Sequence, residues 1–286
     1  MNATTVPALS AALPEIGRQI DTGGFVTNYH DVGSGDATLL IHGSGPGVTA
    51  WANWRVTLPA LARFGRAIAP DMLGFGYTQS PPSIRYGTPT WLAQIASLLD
   101  RLEVRKVNII GNSFGGALAL RMAREMPERT GKLVLMGPVG TSFPLTDGLD
   151  RVWGYEPSLA AMRELLDVFV WDRSIITDDL VDLRYRASTR ADVQDRFARL
   201  FPAPRQRWID MLAQDDAALR RIECETLIVH GRDDRVIPYA ASEKLVRLLP
   251  RATLVPIERC GHWVQIEHPE EFLRHVTAFL YGGGNA

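Results

Sequence analysis

The sequence predicts an α/β fold: a mostly parallel central sheet with helices on both faces and a helical cap inserted between two core strands. Three observations predict it. Short apolar runs rich in β-branched residues alternate with longer segments of helical period, the pattern of strand, crossover helix and next strand. Those runs are nearly continuous in apolar residues, as strands covered on both faces must be. The alternation then stops for roughly ninety residues, far longer than an ordinary connection between elements.

Along the chain, VTNYHDVG (Val26 to Gly33) reads as part of an antiparallel edge hairpin. Strands follow at TLLIH (Thr38 to His42), RAIAP (Arg66 to Pro70), VNIIG (Val107 to Gly111), KLVLMG (Lys132 to Gly137), TLIVHG (Thr226 to Gly231) and ATLVPI (Ala252 to Ile257). Between them, TWLAQIASLLDRL (Thr90 to Leu102) and FGGALALRMAREM (Phe114 to Met126) have helical period, and Pro127 ends the second. Inside the long gap, SLAAMRELLDVFVW (Ser158 to Trp171), TDDLVDLRYRAST (Thr177 to Thr189) and ADVQDRFARLF (Ala191 to Phe201) read as amphipathic helices with polar starts. The expected division is a core of 1–140 and 215–286 with a cap of 141–214 over the carboxyl end of the sheet, where open α/β folds bind ligands. The tail GGGNA (Gly282 to Ala286) is expected to be disordered.

Composition narrows the function. With 46% hydrophobic and 22% charged residues, the chain can bury a large core. A formal net charge of -1 offers no footprint for nucleic acid or an anionic membrane. The two cysteines, Cys224 and Cys260, make no disulfide framework and suggest a reducing compartment. The first residues lack the basic start and unbroken apolar stretch of a signal peptide, and no run approaches a bilayer span. The expectation is a cytoplasmic protein without nucleic-acid or membrane partners. GSGPGV carries Pro46 and no final glycine, no GK[ST] occurs, and no histidine or cysteine cluster has metal-ligand spacing, so no cofactor or metal is expected.

Chemistry enters at GNSFGG (Gly111 to Gly116), between a strand and a helix. Ser113 could simply cap that helix. A cap, however, does not need Gly111 two residues before and Gly115 two after, whereas a sharp turn that lifts a strained serine out of the sheet does. A serine nucleophile needs a base, and the base an orienting acid. Of the six histidines, His262 stands in a Gly-bearing loop, RCGHW, just after the last strand; packing in that loop is its plain alternative role. Asp233 and Asp234 follow another strand end in HGRDDRVIP, where either would also serve a turn. The order Ser, Asp, His is that of α/β-hydrolases. In that fold the oxyanion hole uses the N–H after the nucleophile, here Phe114, and the loop after an early strand, here His42, Gly43, Ser44 and Gly45.

The pieces HGSGPG with WANWR, APDMLGFGYT, GNSFGG, LVLMG, WGYEPS, LRYRAS, FPAPRQRWID, HGRDDRVIP and RCGHWVQIEH span the chain from about Ile16 onward, cap included. In these the chain resembles the meta-cleavage product hydrolases, carbon–carbon bond hydrolases of bacterial aromatic degradation. It is similar above all to the branch acting on 2-hydroxymuconic semialdehyde and its 6-alkyl relatives. The resemblance implies Ser113 as nucleophile, His262 as base, and Asp234 as the acid by its spacing from Gly231. It implies Ser44 and Phe114 N–H at the oxyanion, and Gly43, Gly45, Asn53, Asn112, Arg184 and Trp263 around the dienoate end of a small-molecule substrate. Arg184 would face the carboxylate, to which a guanidinium can bind bidentately; Arg186 and Arg190 stand close by and look equally basic. A far apolar pocket would be lined by Val139, Ile209 and Ile237, while Trp208 and Phe143 fit the core equally well. The resemblance also implies a homo-oligomer. The competing readings are a carboxylesterase of the same fold and a hydrolase of 6-phenyl dienoates.

Overall fold

The computed structural model describes residues 14–282, so the expectations for the first residues and for the end of the GGGNA tail lie outside it. Eight strands form one sheet: β1 (Arg18–Asp21), β2 (Val26–Val32), β3 (Ala37–Ile41), β4 (Arg66–Pro70), β5 (Val107–Asn112), β6 (Thr130–Met136), β7 (Thr226–Gly231) and β8 (Ala252–Ile257). Their spatial order is β1-β2-β4-β3-β5-β6-β7-β8. β1 pairs antiparallel with β2, and β2 antiparallel with β4, which is the predicted edge hairpin; every later pairing is parallel.

Alternate residues of each strand feed opposite faces. Leu39, Ile41, Ile109, Leu133 and Leu135 enter one apolar cluster, while Leu40, Ile110, Val134 and Met136 enter the other. Thirteen α-helices cover the sheet or build the cap among the described residues: α1 (Ala50–Trp54), α2 (Thr57–Leu61), α3 (Thr88–Arg101), α4 (Phe114–Glu125), α5 (Asp147–Trp153), α6 (Leu159–Phe169), α7 (Asp178–Ser188), α8 (Val193–Leu200), α9 (Gln206–Leu212), α10 (Asp216–Leu219), α11 (Tyr239–Leu248), α12 (Val264–Glu267) and α13 (Pro269–Tyr281). α3, α4 and α11 pack on the first face; α1, α2 and α13 pack on the second. Helices α5 to α9 lie between β6 and β7 in the chain, and their apolar sides join the first cluster through residues such as Leu149, Leu166, Phe197 and Leu212. None of the helices is long and apolar enough to cross a membrane.

Three cap helices follow the predicted segments. α5 and α9, of seven residues each, complete about two turns and offer too few periods to read. α5 is nonetheless well capped, since Thr146 accepts from Leu149 N. The registers Ile41↔Gly111 and Asn112↔Met136 align the carboxyl ends of β3, β5 and β6, which brings their following loops together beneath the cap.

Candidate active site

Ser113 sits where β5 turns into α4, with φ 54° and ψ -111°, a conformation disfavoured for any residue with a Cβ. Its side chain makes no capping bond to the helix, which removes the capping role from consideration. The turn is tight enough to require its glycines. A Cβ on Gly111 would lie 2.4 Å from Gly115 O, and one on Gly115 would lie 2.2 Å from Ile41 O. The strain is therefore held by close backbone packing, and it leaves the hydroxyl facing a cavity of about 290 Å³ under the cap.

His262 lines the same cavity, and its Nδ1 is 2.7 Å from Asp234 Oδ2. The Asp234 carboxylate is completely buried and fully engaged. Its Oδ1 accepts from Val236 N at 2.7 Å and Ile237 N at 2.9 Å, and its Oδ2 also takes His230 Nε2 at 3.0 Å. Burial pushes its pKa up, but attraction to His262 and the bonds from His230 and His262 outweigh burial and hold the carboxyl well below the usual range. Asp233 is exposed, so the two neighbouring aspartates have clearly different surroundings. A carboxylate fixed as an anion keeps a proton on His262 Nδ1 and leaves Nε2 to act as base. No hydrogen bond joins Ser113 Oγ to His262 among the described residues, and such contacts are commonly long until substrate fills a site.

The loop after β3 is fixed by His42. Its Nε2 accepts from Met72 N at 2.9 Å, so its Nδ1 carries the proton, 2.6 Å from Gly43 O. Burial lowers its pKa to about 4 and keeps it neutral. Gly43 C=O and Ser44 N–H belong to one peptide group and point in opposite directions, so anchoring the carbonyl turns the N–H away from His42. The Ser44 hydroxyl accepts from Trp153 Nε1 at 2.9 Å, a tie from α5 to this loop.

Gly43, Gly45, Asn53, Asn112, Arg184 and Trp263 all line the cavity, together with Arg55, Gln265 and Phe169. Asn112 Nδ2 donates to Asn53 Oδ1 at 3.0 Å, while Asn53 Nδ2, Asn112 Oδ1 and Gln265 Oε1 are buried without partners among the described residues. Arg184 is separated from its neighbours by its contacts. Arg186 pairs with Asp182, and Arg190 stacks on Tyr77, but Arg184 makes only one bond, to Pro46 O at 3.3 Å, and forms no ion pair among the described residues. Burial lowers its pKa below the arginine norm, attraction to Glu15 offsets part of that, and nearby Arg55 adds to the lowering; a guanidinium stays charged regardless.

Val139, Ile209 and Ile237 are fully buried in the first apolar cluster. The apolar part of the cavity lining includes Leu149, Val152, Met162, Leu165, Leu166 and Val236. Most of these stand on α5 and α6, and α5 had no readable period. Phe143 and Trp208 also pack with the core. His230, Arg55, Gln265 and Phe169 were not singled out from the sequence; of these, only His230 carried a signal, its position four residues before Asp234.

Comparison with known proteins agrees with this geometry. The α/β-hydrolase fold family matches residues 37–269. The chain is 57% identical to the 2-hydroxy-6-oxo-2,4-heptadienoate hydrolase of Pseudomonas putida, over 93% of this chain and 96% of that one. It is 52% identical to the 2-hydroxymuconate semialdehyde hydrolase of Pseudomonas sp. (strain CF600), over 93% and 94%. Among solved structures, a meta-cleavage product hydrolase from Pseudomonas fluorescens IP01, with acetates bound, superposes with a TM-score of 0.93 at 50% identity, over 94% of this chain and 99% of that one. With likeness of this extent running through core and cap alike, the chain belongs to the meta-cleavage product hydrolases of the α/β-hydrolase fold.

Proposed function

We propose that this enzyme adds water across the C5–C6 bond of 2-hydroxy-6-oxohexa-2,4-dienoates with a small group at C6, hydrogen or methyl, giving 2-hydroxypenta-2,4-dienoate and formate or acetate. The observation that carries the reading is Arg184, a cation that forms no ion pair among the described residues and lines the same cavity as Ser113 and His262. An esterase needs the triad but has no use for such a group. The two relatives at 57% and 52% identity are named for the methyl and hydrogen substrates, and a 6-phenyl dienoate hydrolase of Burkholderia cepacia stands at 36%.

In this reading Arg184 binds the C1 carboxylate, and Asn53 and Asn112 hold the C2 oxygen. His262 shuttles the enol proton so that the dienol becomes a 2,6-diketone, protonated at C5. Ser113 Oγ, giving its proton to His262 Nε2, then attacks C6, and the oxyanion is met by Ser44 and Phe114 N–H. The C5–C6 bond breaks with its electron pair moving through the enone to the C2 oxygen, which takes the proton held by His262 so that the product leaves as the dienol. Water, giving a proton to His262, then attacks the acyl carbon, and that proton returns to Ser113 Oγ as the carboxylic acid is released. The trapped carboxylate and the apolar C6 pocket orient the substrate so that only one carbonyl reaches the serine.

Composition further supports a cytoplasmic location and family likeness a homo-oligomer; sedimentation of the purified protein tests the assembly, and fractionation of cells the location. The catalytic proposal is tested by following the yellow dienolate absorbance of catechol and 3-methylcatechol ring-fission products. Rapid loss with wild type and none with Ser113→Ala is expected. Stable colour with folded wild-type protein, alongside turnover of simple esters, would move the esterase reading to the front.

A further inference from the structure

The loops that carry His262 and Asp234 both reach out of the core and grip one short piece of the cap, the end of α6 and the residues just after it. From the histidine side, Phe169 O accepts from His262 N at 2.7 Å and from Trp263 N at 3.3 Å. The Phe169 ring stacks on Trp263 at 4.8 Å and on His262 at 5.9 Å. Glu267, at the end of α12, uses both carboxylate oxygens: Oε2 accepts from Trp171 N at 2.6 Å and Asp172 N at 3.1 Å, and Oε1 accepts from Gly261 N at 2.7 Å. From the aspartate side, Arg235 donates to Val170 O at 3.0 Å, to Asp167 O, and to the Asp167 carboxylate at 3.2 Å.

These contacts are complementary in charge and direction. Arg235 meets the carbonyls that α6 leaves free at its C-terminus, and Glu267 meets the N–H groups of the residues that follow. The approach is close enough that a Cβ on Gly261 would lie 2.6 Å from Phe169 O. The residue before His262 therefore has no slack against the cap. Met162, Leu165, Leu166 and Phe169 of the same helix line the cavity, so whatever fills the cavity bears on this strap.

We propose that residues 167–172 form a strap through which the seated cap sets the acid–base pair, and that Glu267 and Arg235 are positioning residues for His262 and Asp234. The inference rests on the reading of His262 as the base of Ser113. A misplacement of His262 by an ångström would weaken proton transfer while leaving the Arg184 end of the cavity intact.

The test uses Glu267→Gln and Arg235→Met in the full-length enzyme, with two readouts: dienoate turnover, and the rate at which a fluorophosphonate modifies Ser113. A glutamine has the same shape but only one acceptor oxygen, so it must lose one side of the grip. Expected are a fall in kcat of about 10- to 100-fold with KM within about threefold, a matching fall in Ser113 modification, and a shifted pH profile of kcat. The double variant is expected to lose less than the product of the two single losses, because both grip one strap. Folded variants that keep the wild-type kcat and pH profile would overturn the proposal, as would losses confined to melting temperature. Should Glu267→Gln not fold, Arg235→Met and its partial rescue by Arg235→Lys carry the same decision. Because modification of Ser113 does not depend on a dienoate, wild-type protein that is modified rapidly but turns over no dienoate would refute the substrate assignment and leave the strap to be judged by modification rate alone.

Discussion

The lining of the cavity has a polar part, where Arg184 is joined by Asn53, Asn112 and Gln265, each with a buried polar atom that has no partner among the described residues, and an apolar part of Leu149, Val152, Met162, Leu165 and Leu166, which contributes only apolar side chains. Each unpartnered buried polar group costs about 1–3 kcal/mol. A fold keeps such groups where a ligand supplies what is missing, so the polar end is built for one chemical pattern. The apolar wall offers no such demand. One methylene more or less against it changes binding by about 1–3 kcal/mol, so it sorts substrates by size and only coarsely.

The largest effect lies between the two ends. Ser113→Ala should lower dienoate turnover by about 10³-fold or more, leaving the residual catalysis that binding and the oxyanion donors provide. Single-turnover measurements that find a smaller loss would remove Ser113 from the chemistry. Next comes the polar end: Arg184→Met should lower kcat/KM by about 10²- to 10³-fold, because a charge-assisted pair with the carboxylate is lost. The same variant should let a fluorophosphonate modify Ser113 at close to the wild-type rate. If both fall together, Arg184 supports the fold and not the substrate.

The loop at the polar end makes a prediction about pH. His42 titrates near 4 in the folded protein, below the unfolded value of 6.5, so the unfolded chain takes up its proton first. The contribution of neutral His42 is complete above pH 6.5 and is lost as pH falls toward 4, by about 3 kcal/mol in all. Urea unfolding at several pH values reads this slope, and His42→Gln should flatten it. The apolar end gives the smallest change. Leu166→Ala should raise the ratio of 6-phenyl to 6-methyl turnover by about tenfold with little effect on the methyl substrate itself. An equal gain for both substrates would mean that Leu166 limits access and not size.

The same contrast explains what the sequence made legible. Every predicted strand appears within a few residues, because parallel strands must be apolar on both faces and that pattern survives in a short window. The placements of Ser113, His262 and Arg184 around one cavity, with Asp234 behind His262, were approachable because each lies beside a recognisable motif or strand end. The apolar wall was not approachable in this way. Leu149 and Val152 ride on a seven-residue helix, and the wall depends on how α5 and α6 are tilted over the sheet, which no local pattern records. Val139, Ile209 and Ile237 carry the same ambiguity: an apolar residue near a site fits a core as well as a cavity. Gln265 and Phe169 escaped notice because their roles depend on neighbours distant in the chain.

The backbone at Ser113 sets stability and activity against each other at a single position. A residue held at φ 54° by close-packed neighbours is strained by about 1–3 kcal/mol, and glycine would relieve that strain while deleting the hydroxyl. Mutational drift toward a sturdier molecule therefore leads, at this position, to an inert one. Selection for turnover has to hold the serine against that pull, and the stability given up there must be recovered in the apolar layers on either side of the sheet.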